Sequence, residues 1–283
     1  MSIITLTTDF GLKDHFVGAL KGKLISEYSE VQIIDITHHI DLFNISEASY
    51  IINGSYKDFP KNTVHLIGVD HELTNENKHI AMQWNDQFFV CADNGILSIL
   101  TQKMLPQKIV EINIHNRLPE EATDIDVFVK VACHLAKGGN LNVLGKEIPS
   151  IKIVNELQAV VSSDFNSIKG CVIYTDHVGN CITNISKKMF QEVGKNRTFE
   201  IKFGTKTIKK IHMNYSDFRI PEKYTLKDYE GEKLAIFNEA GFLEIAIYRS
   251  NPNTVGSARS LLGLKYRDVV YVVFSSEYLK SNI

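Results

Sequence analysis

The hydrophobic pattern changes character once along this chain, and that change sets what the sequence can fold into. Up to about residue 161, short β-branched runs alternate with stretches whose apolar residues recur at helical spacing. Ile3–Thr8, Val31–Thr37 and Thr63–Asp70 have the composition of strands, and Phe16, Val17, Leu20, Leu24 and Ile25 fall on one helical face between the first two. A helix is expected from Ser46, whose hydroxyl suits an N-cap, and another over Asp124–Lys137, closed by Gly138-Gly139. His79–Trp84 and Gln87–Ala92 flank Asn85-Asp86 as a hairpin. Strand–helix–strand order implies a largely parallel sheet, whose ligands sit beyond the carboxyl ends of the strands. Asp9 and Asp70 stand at two such ends.

From Lys169 onward the runs are of β type and separated by turn signals, with SARSLLGL the only helical stretch expected. The chain therefore reads as an α/β amino-terminal domain (1–161), a polar linker (162–168) and a smaller all-β, barrel-like domain (169–283). Its 283 residues suit two domains, and 44% hydrophobic with 23% charged residues suit ordinary globular cores. A net charge of −2 gives no general attraction to phosphate backbones, so nucleic acid is not expected as a partner. Cys91, Cys133, Cys171 and Cys181 form no C-x-x-C pair and sit in apolar runs, as core thiols do. The adjacent His38 and His39 would point to opposite faces of a strand, so no metal site is expected there. No signal peptide or membrane-length run is present, which points to the cytoplasm.

Four clusters have the chemistry of a site. Thr8-Asp9-Phe10-Gly11, with Asp14 nearby, offers a carboxylate able to accept two hydrogen bonds from a diol, unless Asp14 only caps the next helix. Gly68-Val69-Asp70-His71-Glu72 puts three titratable groups after a buried strand, as general-base chemistry or a solvated acidic loop. Asp93-Asn94-Gly95 reads as a turn without function. Asp176 and Asn180, around Gly179, suit the ammonium and carboxylate of an amino acid, or a plain β-turn.

In series, TDFGLKDHFVGALKGKL (8–24), DITHHIDLFNISEA (35–48), VHLIGVD (64–70), FFVCADNGILS (88–98), DHVGNCITNI (176–185) and FNEAGFLEIAI (237–247) resemble the S-adenosylmethionine (SAM) hydroxide adenosyltransferases and their halogenase relatives. The resemblance covers nearly the whole chain. It implies in-line attack at C5′ of the SAM ribose with methionine expelled, no cofactor beyond the substrate, and a homotrimer with sites between one subunit's first domain and the next subunit's second. By position, Asp9 resembles the ribose-diol carboxylate and Phe43 a wall of the site. Asp176 and Asn180 resemble the methionine-end ligands, Arg249 falls in the adenine-contacting stretch, and Asp70 matches the catalytic aspartate. The chain departs from the hydroxide-forming pattern at two places: the arginine of D-P-G-V-G-(S/T)-x-R-(R/K) falls on Asn77, followed by Lys78, and the histidine of T-F-H-G-R-D falls on Thr123. His71, Glu72 and Lys78 are near enough in sequence to substitute, and Asp124 to orient water. The resemblance thus implies a SAM hydrolase forming adenosine and methionine, or alternatively a SAM- or adenosine-binding protein that has lost catalysis. A halogenase is disfavoured, because Asp70 places an anion where a halide must approach, and no long insertion separates Ile80 from Phe88.

Overall fold

The computed structural model describes residues 2–101, 104–154 and 158–278. The chain divides into two compact units after Val154. The first holds strands β1 (Ile3–Thr8), β2 (Gln32–Thr37), β3 (Val64–Gly68), β4 (His79–Trp84), β5 (Gln87–Ala92), β6 (Lys108–Ile112) and β7 (Gly145–Glu147). Its helices are α1 (Phe16–Glu27), α2 (Ile45–Ser55), α3 (Ile96–Thr101) and α4 (Asp124–Ala136). The sheet order is β2-β1-β3-β5-β4-β6-β7. β2, β1, β3 and β5 pair in parallel, and the β4–β5, β4–β6 and β6–β7 pairings are antiparallel.

Period-2 alternation sends each strand's side chains to two cores, one on each face of the sheet. Ile4, Leu6, Val64, Leu66 and Val90 face α1 and α4, where they meet Leu20, Leu24, Phe128 and Val131. Ile67, Ile80, Met82 and Phe89 face the opposite side, against Ile52 of α2 and Ile96 and Leu100 of α3. The chain steps from β1 to β2, then back across β1 to β3, so the carboxyl ends of β1 and β3 open a crevice where the winding reverses. The expected hairpin is present, with Asn85 and Asp86 both at positive φ as its two-residue turn requires.

The second unit is a nearly closed, barrel-like sheet. It comprises β8 (Val160–Val161), β9 (Ser167–Thr175), β10 (Cys181–Ser186), β11 (Arg197–Phe203), β12 (Lys206–Ile208), β13 (Ile211–His212), β14 (Lys233–Phe237), β15 (Phe242–Ile247) and β16 (Val269–Tyr278). Strand order is β12-β11-β16-β9-β10-β15-β14-β13, with β8 on β9. The polar stretch from Ser162 forms the turn between β8 and β9, where the Ser162 hydroxyl accepts the Ser167 N–H. α6 (Ala258–Leu261) lies in the expected helical stretch, and α5 (Lys187–Gly194) is an addition to the sequence reading. α5 is only eight residues long and half polar, so its apolar face is brief; its signal was Ser186, whose hydroxyl accepts the Met189 N–H.

Two helix starts differ from expectation. α2 is capped by Asn44, whose side chain accepts the Glu47 N–H, rather than by Ser46. α1 begins after His15 without a side-chain cap, so Asp14 does not cap it. No helix among the described residues is long and apolar enough to cross a membrane.

Candidate functional site

Three loops leave the crevice edge and are tied together by one carboxylate. Asp9 Oδ2 accepts the N–H of Phe43, from the β2–α2 loop, at 3.1 Å and that of Asp70, after β3, at 3.4 Å. A carboxylate has about four acceptor positions, so Asp9 closes the loops and keeps capacity for a ligand. Gly68, at the end of β3, packs closely against the end of β1: a Cβ there would stand 3.1 Å from Phe10 Cζ and 3.3 Å from Thr8 Cγ2. Beneath, buried Thr8 is fixed by its hydroxyl to His38 Nδ1 at 2.8 Å, so His38 serves the scaffold.

Asp70 and Phe43 both sit at positive φ, 45° and 62°. Such a conformation costs a non-glycine residue roughly 1–3 kcal/mol and persists only where its surroundings impose it. At Asp70 the imposing group is Asn94, whose amide donates to the carbonyls of Val69 and Asp70, both at 3.0 Å. Asn94 Oδ1 also accepts the Ile96 N–H at the start of α3. The D-N-G segment is therefore a clamp on the Asp70 turn rather than a turn without function. Its role comes from contacts across the sheet that sequence spacing does not reveal.

The resulting cleft has a volume of about 640 Å³. Asp9, Asp70 and Glu72 bring carboxylates to it, and Phe10, Phe16, Leu42, Phe43 and Ile125 bring apolar walls. Asp9, Phe43 and Asp70 thus converge on one cavity. His71 and Thr123 line it too, whereas Asn77, Lys78 and Asp124 do not. Asn77 instead accepts from Lys152 Nζ at 3.0 Å. Thr123 caps α4, its hydroxyl and N–H both donating to Asp126 Oδ2. Asp124 Oδ2 accepts the Leu73 N–H at 2.9 Å, pinning the loop beyond Glu72 to α4.

In the second unit Asp176 and Asn180 form a self-bonded loop. Asp176 Oδ1 accepts the Asn180 N–H at 2.8 Å, and Asn180 Nδ2 donates to Asp176 Oδ2 at 2.9 Å and to the Tyr215 hydroxyl at 3.3 Å. With its amide N–H groups committed, Asn180 has its carbonyl oxygen to offer, so the pair presents acceptors and suits an ammonium better than a carboxylate. Tyr215 donates in turn to buried Glu244, which burial pushes above the usual carboxylate range. Glu244 had a signal in the sequence, a charge inside the apolar run FLEIAI. Gly179 (φ 81°) lies so close to Ser257 that a Cβ would stand 2.2 Å from its Oγ. Arg249 is exposed, its side chain bonded to Glu230 Oε1 at 2.8 Å; its backbone is at φ 52°, and the next residue, Ser250, donates to the Val178 carbonyl.

Residues 4–145 match the model of the SAM hydroxide adenosyltransferase N-terminal domain, and residues 170–271 match that of the corresponding C-terminal domain. The chain belongs to the SAM hydroxide adenosyltransferase family. Among its relatives, the (R)-S-adenosyl-L-methionine hydrolase of Methanocaldococcus jannaschii is 30% identical, with 97% of each chain covered. The hydrolase of that name from Thermus thermophilus is 26% identical, covering 94% of this chain and 97% of its own. A crystal structure of a conserved Thermotoga maritima protein superposes with a TM-score of 0.79 at 30% identity, covering 96% of this chain and 99% of that one. Within this family the two departures have a structural counterpart: Thr123 is occupied as a helix cap, and Asn77 is bonded to a lysine away from the cleft.

Proposed function

We infer that this protein is a SAM hydrolase, which adds water at C5′ of the ribose and releases adenosine and L-methionine. The observation that carries the reading is the cleft at the winding reversal, lined both by the carboxylates of Asp9, Asp70 and Glu72 and by aromatic and aliphatic side chains. A sulfonium nucleoside is a cation with a flat apolar base, and it fits both surfaces. In this reading Asp9 accepts the ribose hydroxyls, Phe43 walls the site and Asp70 orients the water in line with the C5′–sulfur bond. Asp176 and Asn180 hold the amino-acid end, and the 249–250 backbone contacts the base. The sulfonium leaving group is already activated, so positioning and exclusion of bulk water supply much of the rate without a cofactor. The working form is a cytoplasmic homotrimer in which two copies share each substrate, with neither nucleic acid nor membrane as partner. Exposed Phe16 at the start of α1 and exposed Leu42 and Phe43 in the β2–α2 loop all line the cleft and support burial by another copy.

Purified protein incubated with SAM, with products separated by chromatography, tests the activity. Adenosine and methionine in equal amounts are expected. Intact SAM with measurable binding overturns the hydrolase in favour of a binding protein.

Two ligand predictions separate the subsites. Asp9→Asn is expected to weaken SAM and adenosine alike, by about one to two decades, because an amide cannot replace a carboxylate that accepts both diol protons. Unchanged adenosine affinity by calorimetry removes Asp9 from the ribose site. Alanine at Asp176 or Asn180 is expected to weaken SAM about 10-fold or more while sparing adenosine, which carries no ammonium. Equal losses for the two ligands mean that the pair shapes the loop only.

A further inference from the structure

The residue after Asp70 is a histidine that is held in place more elaborately than a cleft wall requires. Its ring lies edge-on to Phe10, 5.2 Å between centroids, and 6.3 Å from the ring of Phe128 in the core. Its backbone carbonyl accepts a hydrogen bond at 2.9 Å from Nε2 of His79, a fully buried residue at the start of β4. A carbonyl can only accept, so Nε2 of His79 carries the proton. Nδ1 is then the acceptor that faces Nε2 of His115 at 3.1 Å. Burial pushes His79 below the usual imidazole range, and His115 likewise, which keeps both neutral. Two histidines are thus placed behind the cleft, and the first of them holds the His71 backbone.

The other groups at this wall are already engaged or poorly placed to take a proton. The Thr123 hydroxyl donates to Asp126, and Asp9 accepts two backbone N–H groups and, in the hydrolase reading, the ribose hydroxyls. Lys23 is ion-paired with Asp126, and Glu72 is exposed. Asp70 and His71 remain as an adjacent carboxylate and imidazole on the same cavity, with His15 the other imidazole lining it.

We propose that His71 is the proton acceptor for the attacking water and that His79 is its positioning residue. The inference rests on the hydrolase reading. As the water oxygen bonds to C5′, the C5′–sulfur bond breaks and its electron pair goes to sulfur, giving neutral methionine thioether. One water proton passes to the His71 imidazole and from there to solvent; the other stays as the 5′-hydroxyl of adenosine. The neighbouring Asp70 carboxylate orients the water and stabilises the imidazolium that forms. Asp9 and Glu72 add negative charge on the cleft side, while His79, His115 and Asp124 face the turn from behind.

Steady-state kinetics of the full-length protein with SAM test this. His71→Ala is expected to lower kcat about 10- to 100-fold with KM within about twofold. Added imidazole is expected to restore part of the lost rate to His71→Ala. His79→Leu, which removes the donor, is expected to lower kcat in the same manner, and His79→Gln, which can present an amide N–H to the same carbonyl, to recover most of it. A kcat unchanged in His71→Ala, or a loss confined to KM, overturns the proposal and leaves His71 as a wall. Adenosine production by the wild type, measured alongside, separates the two levels: its absence overturns the hydrolase reading itself, whereas its presence with undiminished His71→Ala turnover overturns only the role of His71.

Discussion

Asp70→Asn is expected to lower kcat for SAM hydrolysis by about 100-fold. The substitution is unusually clean. Asn and Asp are the non-glycine residues that best tolerate left-handed backbone, so φ 45° at this position imposes no new strain. The bonds that hold the turn run through main-chain groups: Asn94 to the carbonyls of Val69 and Asp70, and the Asp70 N–H to Asp9. None involves the Asp70 side chain, so the change removes a charge and leaves the loop in place. A lost water-handling group lowers kcat, whereas lost uniform attraction to a cationic substrate raises KM with kcat unchanged. Wild-type kcat in Asp70→Asn would refute the catalytic role. Restoring the family residues by Asn77→Arg and Thr123→His is a less clean experiment here. Thr123 holds the capping box of α4, and losing such a cap costs about 1 kcal/mol. An arginine at position 77 would also meet the Lys152 ammonium that now bonds Asn77.

How much of this was legible beforehand follows from what hydrophobic period and local chemistry encode. Alternating runs in the first half gave the strands and helices of the α/β unit, because β3 and β5 bury both faces and α4 buries one. Strand-end acids at Asp9 and Asp70 were legible because a winding reversal places chemistry beyond strand ends. The roles of Asn94 and Thr8 were not, since each acts on a residue brought close by sheet pairing, and that of His79 depends on the path of the connection between β3 and β4. α2 shows the same limit on a smaller scale: Ser46 and Asn44 are both good caps, and only the path of the chain selects between them. Arg249 was placed by resemblance to its segment, and its guanidinium goes to Glu230, a partner that no motif specifies.

A second large effect is expected in the pH dependence of stability, where two buried groups act in opposite directions. His65 on β3 lies between Thr5 and Gln87 and is pushed down by burial to about 4 from an ordinary 6.5. The unfolded chain therefore takes up this proton first as pH falls, so His65 withdraws stability between about pH 6.5 and 4. Glu47, buried in the first turn of α2, is pushed up by burial to about 7 from an ordinary 4.5, against the hydrogen bonds from Asp41 and Asn44. Here the folded protein takes up the proton first, so Glu47 contributes stability that is full below pH 4.5 and lost as pH rises through 7. Each shift corresponds to stability on the order of 3 kcal/mol, and over the shared window the two contributions offset each other. Glu47→Gln removes one of them while keeping a side-chain oxygen for the Asp41 N–H. Its stability is expected to match the wild type near pH 4 and to exceed it by roughly 2–3 kcal/mol above pH 7. The variant thus loses stability steeply on acidification, where the wild type changes little from this pair of groups. Urea unfolding of both proteins at several pH values from 4 to 8 measures the difference curve, which isolates Glu47 from every other titrating group. Parallel profiles would show that Glu47 is ionised in the folded protein with no penalty, and that the Asp41 and Asn44 bonds outweigh its burial.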